Sequence, residues 1–102
     1  MSNNKLVRDK VPQIIKDSGL EPVSRIADDQ EYWQELKKKL QEELNEFLEN
    51  DSNLEEIADI MEVLNAIMAF KNIDPKKVEE IRVKKLAAKG AFQKKIILES
   101  VR

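Results

Sequence analysis

The sequence predicts an all-α fold, a helical bundle built around one long antiparallel hairpin. Three observations predict it. Residues 31 to 49 carry Trp33, Leu36, Leu40, Leu44 and Phe47 at helical spacing, and residues 53 to 71 carry Ile60, Val63, Leu64 and Ile67 in the same way. Only two Gly and three Pro occur among 102 residues, so little interrupts these periodic windows. An apolar fraction of 41% suits an ordered chain, and the length suits one domain over residues 1–102.

Each element follows from local signals. Pro12, followed by Gln13, Ile14, Ile15 and Lys16, predicts a short helix that stops at Ser18-Gly19, because proline fits a first helical turn and glycine a helix end. Glu21 to Ala27 mixes β-branched and polar residues and reads as extended. Asp28 or Asp29 then caps a long helix that runs to about Glu49. Asn50-Asp51-Ser52-Asn53 forms a tight connection, and Ser52 with Glu55 has capping-box spacing for a second long helix ending near Lys71. That helix is nearly apolar from Ile60 to Phe70, interrupted only by Glu62 and Asn65 among strongly polar residues. Such a helix needs cover on several sides, so dimerisation is expected. Asp74-Pro75 caps and starts a third helix that ends at Gly90. In the tail, Ile96-Ile97-Leu98 is compatible with a short strand beside residues 22–27 or with further helical packing.

Charge and composition narrow the function. Eighteen basic and 20 acidic side chains leave a net charge of −2, which gives no global attraction to nucleic acid or anionic membrane. No segment has the apolar length of a signal peptide or a membrane span, so a soluble cytoplasmic protein is expected. There is no Cys and no His, which removes disulfides, thiolate chemistry and imidazole acid/base catalysis. Any metal must be held by oxygen, and that favours Mg²⁺ or Mn²⁺.

Four carboxylates stand out. At 100° per residue Glu43 falls beside Leu36, and Glu56 falls between Val63 and Ile67, so both occupy or border the core face. Each has an acidic partner three residues on, Glu46 and Asp59. Buried ionised carboxylates need a cation, a proton or a metal, since uncompensated burial costs several kcal/mol. The ordinary alternative is a solvated helix face with lysines at i, i+4, and Lys38 with Glu42 or Lys39 with Glu43 has that spacing. Two facing pairs instead make an all-oxygen cage, and Mg²⁺ in such a cage retains water positions and binds phosphates. Glu42 and Glu62 lie just outside this set, as supporting groups or, for Glu62, a surface residue.

A polyphosphate substrate also needs cations. Arg82, Lys85 and Lys89 share a face of the third helix, and Arg8 and Lys10 near the N-terminus are a second candidate pair. Trp33 is a candidate for stacking on a base, with core packing as the alternative.

These residues resemble a known family. Glu42-Glu43-Leu44-Asn45-Glu46 matches EExxE and Glu56-Ile57-Ala58-Asp59 matches ExxD, the paired motifs of the MazG-like all-α nucleoside triphosphate pyrophosphohydrolases. The opening KLVRDKVPQII and the later KKLAAKGAFQKKIILES resemble its small phosphoribosyl-ATP pyrophosphohydrolase-like, MazG-related subgroup. Two features depart from the family pattern: nine residues separate Glu46 from Glu56, which demands a tight hairpin, and Gly90-Ala91-Phe92 stands where a GGF-like element is common.

The resemblance implies a Mg²⁺-dependent enzyme that cleaves a nucleoside triphosphate between its α and β phosphates. Glu43, Glu46, Glu56 and Asp59 are then the metal ligands, Glu42 supports the site, and Lys85 and Lys89 contact phosphate. It also implies a homodimer or dimer-derived tetramer. Two alternatives stand beside it: a phosphoribosyl-ATP pyrophosphohydrolase of histidine biosynthesis, and a non-catalytic helical dimer that binds nucleotides or a protein partner.

Overall fold

Asp28, Asn53 and Asp74 each turn a side-chain oxygen onto a backbone N–H and so fix where the three long helices begin. The computed structural model describes residues 4–50 and 53–102. Its regular elements are α1 (Val11–Asp17), α2 (Asp29–Glu49), α3 (Leu54–Phe70) and α4 (Pro75–Lys89), with no strand among the described residues. None of these helices is long and apolar enough to cross a membrane.

α1 carries Pro12 in its first turn and stops at Ser18, after which Gly19 takes a left-handed φ of +93° that a side chain would resist. α2 is capped by Asp28, which accepts from the Glu31 N–H at 2.8 Å, while Arg25 grips the Glu31 carboxylate with two contacts of 2.6 Å. Replacing Asp28 with alanine removes one acceptor from four otherwise unpaired amides. The expected cost is about 1 kcal/mol, measurable by urea denaturation.

The sequence placed the cap of α3 at Ser52, which lies outside the described residues together with Asp51. The described cap is Asn53, whose Oδ1 accepts from the Glu55 N–H at 2.9 Å. Asp74 caps α4 by accepting from the Lys76 N–H at 2.9 Å, Pro75 opens it and Gly90 follows it, as the sequence indicated.

α2 and α3 pack as an antiparallel pair. Tyr32 and Trp33 at the start of α2 meet Phe70 at the end of α3, and Glu43 and Glu46 meet Glu56 towards the other end. Leu36, 2% exposed, and Val63 are the buried apolar residues among those described, with Leu40, Phe47, Ile60 and Ile67 half-buried around them. Leu44, counted with the same stripe, is instead exposed.

α3 carries two apolar stripes. Ile60, Val63, Ile67 and Phe70 belong to the stripe that faces α2, whereas Leu54, Ile57, Met61 and Leu64 repeat at spacings of three, four and three and are exposed. Every residue of α4 is exposed as well, including Val78, Ile81, Val83 and Leu86.

The chain is accordingly long and open, 61 × 31 × 24 Å with a radius of gyration of 18.3 Å. A compact domain of this length has about 13 Å. Its accessible surface is 9603 Å², against about 5,900 Å² for a compact monomer of 11.8 kDa.

The tail forms neither the short strand nor the further helical packing expected of it, and residues 22–27 form no strand beside it. Residues 20–28 and 96–102 have no regular structure, and Val23, Ile26 and Ile97 are almost wholly exposed. A strand forms only where a second strand accepts its backbone hydrogen bonds, and these segments pair with nothing among the described residues.

Candidate metal centre

The antiparallel pairing of α2 and α3 brings Glu43 and Glu46 against Glu56. One carboxylate oxygen from each lies within 4.8 Å of the others. Glu43 is 5% exposed, Glu56 is half-buried and Glu46 is exposed, so the cluster opens from the helix interface towards solvent.

Glu43 Oε2 and Glu56 Oε2 are buried without a hydrogen-bond donor. Two carboxylates have no proton to share, so their contact becomes a hydrogen bond only if one of them is protonated. This drives the Glu56 carboxyl from an ordinary value near 4.5 up to about 7: protonation gains a hydrogen bond to Glu43, partial burial disfavours the charge, Glu46 offers a second hydrogen bond, and both neighbours repel the ionised form. Lys39 supplies some compensation, with its Nζ 3.5 Å from Glu43 Oε1 and 3.7 Å from Glu42 Oε1. The i, i+4 pairing of Lys39 with Glu43 therefore forms, yet the second oxygen of Glu43 stays without a partner.

The donor set suits a hard cation. Mg²⁺ held at about 2.1 Å places its ligand oxygens roughly 3 to 4.2 Å apart, so oxygens within 4.8 Å need only a small contraction. The two unpartnered oxygens are also the groups with most to gain from a cation.

Asp59 is placed differently. Its Oδ1 accepts from Arg8 at 2.6 Å, and Asp59 stands outside the three-oxygen cluster. Arg8 belongs to the segment before α1, which forms one wall of a cleft of about 730 Å³. Lys10 lines the same wall, Lys39 and Glu43 line the α2 side, and Asp59 and Glu62 line the α3 side. Of the sequence-predicted residues, Arg8 and Lys10 thus accompany Glu43 and Asp59 at one cleft, while Glu42 stands beside it through Lys39.

The remaining candidates lie elsewhere. None of Arg82, Lys85 and Lys89 lines the cleft in a single chain, and Arg82 is engaged by Glu79 at 2.9 Å on its own helix. Trp33 stacks on Phe70 with ring centroids 6.0 Å apart and 15° between planes, and the Lys71 ammonium sits 4.1 Å above its ring. Those contacts are the packing alternative for Trp33. Tyr32, which sequence reasoning passed over, faces the cleft instead. Its signal was available, since Tyr32, Leu36, Lys39 and Glu43 fall within about 60° on one helix face.

No family model matches the chain, and no solved structure matches it. Over 47 residues the chain is 47% identical to a protein of Mycolicibacterium smegmatis described as uncharacterized. The match covers 46% of this chain and 48% of that protein, so the chain spans about half the length of the curated relative it matches.

Proposed function

We propose that this chain is a nucleoside triphosphate pyrophosphohydrolase of the MazG-like kind, using Mg²⁺, or Mn²⁺ in its place, to release a nucleoside monophosphate and pyrophosphate. The observation that carries this reading is the convergence of Glu43, Glu46 and Glu56, two of whose buried oxygens lack a donor, beside a cleft that also presents Arg8, Lys10 and Lys39. Acidic and basic groups in one cleft suit a substrate that arrives as a polyanion with its cation.

Glu43, Glu46 and Glu56 would hold the ion, with Asp59 joining them once Arg8 lets go. The bound ion supplies charge neutralisation on the phosphate oxygens. Hydrolysis of the α–β anhydride adds one water: its oxygen bonds to phosphorus, the bridging P–O bond breaks, and the electron pair leaves on the departing phosphate group. Glu42, half-buried beside Lys39, takes the proton released by the attacking water. Arg8, freed from Asp59, binds a phosphate oxygen.

That exchange makes Arg8→Ala diagnostic. The ion pair is exposed on both sides and contributes at most about 1 kcal/mol to stability. The variant should bind Mg²⁺ several-fold more tightly by calorimetry, because Asp59 loses its competitor, while KM for a triphosphate rises. Unchanged values for both would remove Arg8 from the site.

The reading extends to assembly. A second copy covers the outer stripe of α3, giving a homodimer or a dimer-derived tetramer. The test of function is product analysis with Mg²⁺ on canonical and modified nucleoside triphosphates and on phosphoribosyl-ATP, with Glu56→Gln as control. Monophosphate and pyrophosphate that vanish in the variant support the proposal. Turnover of phosphoribosyl-ATP alone selects the histidine-biosynthetic alternative, and no turnover of any nucleotide selects the non-catalytic binding dimer.

A further inference from the structure

The cleft has two chemically distinct ends. Along α2 it is lined by Tyr32, Leu36, Lys39 and Glu43, a rise of about 16 Å from first to last. Along antiparallel α3 it is lined in the opposite order, with Asp59 and Glu62 towards Glu43, and Val63 and Ala66 towards Tyr32. On the hairpin walls one end is therefore charged and the other aromatic and apolar. Ile14 of α1 adds a further apolar side chain to the lining.

Resting on the pyrophosphohydrolase reading, we propose that the nucleotide lies along this cleft with its phosphates at the Glu43–Asp59 end and its base against Tyr32, which makes Tyr32 a determinant of base recognition. The distance between the two ends suits an extended nucleotide. Tyr32 is half-buried, and its ring is fixed by a T-shaped contact with Phe70, with centroids 5.1 Å apart and planes at 88°. A ring held this way offers stacking surface with little further loss of side-chain freedom. Its phenol adds one group able to donate or accept a hydrogen bond, which an apolar wall lacks. Trp33 is one position further along the helix, and its ring is taken up by Phe70 and Lys71. The opposite orientation would set an uncharged base among Lys39, Arg8 and the carboxylates and leave the phosphates beside Tyr32 and Ala66. That arrangement desolvates charge without pairing it.

The test separates the two ends by ligand. Binding of inorganic tripolyphosphate and of the four common nucleoside monophosphates is measured by calorimetry in Mg²⁺, on the unaltered chain and on Tyr32→Phe, Tyr32→Leu and Glu56→Gln. Tyr32→Leu keeps apolar bulk and removes the stacking ring. It should weaken monophosphate binding roughly tenfold, within the range that base–aromatic stacking supplies, and leave tripolyphosphate affinity unchanged. Tyr32→Phe should retain most of the affinity while narrowing the differences among bases. Equal losses for both ligands in Tyr32→Leu, or no loss for the monophosphates, overturn the assignment. Tripolyphosphate binding that survives Glu56→Gln overturns the metal reading instead, so the two failures are distinguishable. An unaltered chain that binds neither ligand overturns both.

Discussion

Glu56→Gln is expected to eliminate pyrophosphate release and at the same time to raise the melting temperature of the metal-free protein at pH 8. The two effects have one cause. In the metal-free chain Glu56 faces Glu43 and Glu46 with its Oε2 buried and no donor, so ionising it sets like charges together. Glutamine is neutral and offers an N–H₂ to those carboxylates, which relieves the repulsion. It also removes a charged ligand, and the loss of activity should exceed the ~10–100-fold that outer-shell changes at metal sites cause.

The pH dependence has a definite sign. Glu56 ionises near 4.5 when the chain is unfolded and at about 7 when it is folded, so the folded chain holds an extra proton between those values. Its contribution to stability is fully present below pH 4.5 and is lost as pH rises through about 7. Thermal denaturation in a chelator should therefore show a decline over that window that Glu56→Gln flattens. Mg²⁺ must displace the same proton, so its affinity should rise with pH and level off above about 7. Identical, pH-independent melting of both proteins would exclude the clustered arrangement of Glu56.

Met61→Asp is the second large effect. Met61 is 60% exposed in one chain, at the middle of the outer stripe made by Leu54, Ile57 and Leu64. A lone apolar residue on a surface is ordinary, but four at heptad-like spacing on a helix whose other face is already packed form a seam. Two carboxylates facing each other across a two-fold axis would be desolvated without a cation. Light scattering should give two or four times the chain mass for the unaltered protein and a smaller mass, or an unfolded chain, for the variant. The melting temperature of the unaltered protein should also rise with its concentration. A monomeric unaltered protein at every concentration would end the dimer proposal.

The sequence was most legible where one local signal decided an outcome. Asp74, Pro75 and Gly90 marked α4 because capping, a fixed φ and a glycine-tolerant helix end are properties of a few neighbouring atoms. Glu43 and Glu56 were legible through periodicity, since 100° per residue places them on the faces that α2 and α3 turn towards each other. The partner of Asp59 was not legible. Arg8 is 51 positions away, and nothing local to either residue says that the segment before α1 lies over the hairpin. The role of the basic stripe of α4 was not legible for a related reason, because periodicity shows that Arg82, Lys85 and Lys89 share a face but not what the face adjoins. Residues 22–27 and 96–98 had β-like composition, and composition alone cannot supply a strand with a neighbour.

The position of the carboxylate cluster also has a kinetic consequence. Glu43 and Glu56 are only thirteen positions apart, on two helices whose ends at Glu49 and Leu54 nearly adjoin in sequence. Their encounter closes a short loop, among the fastest events available to a folding chain, so the cluster assembles with the hairpin rather than after it. At pH above about 7 without a divalent ion, an early contact of this kind would bring negative charges together, and folding is expected to slow. Mg²⁺ should then accelerate refolding as well as oppose unfolding, acting on the chain before there is a finished cleft for a nucleotide to enter.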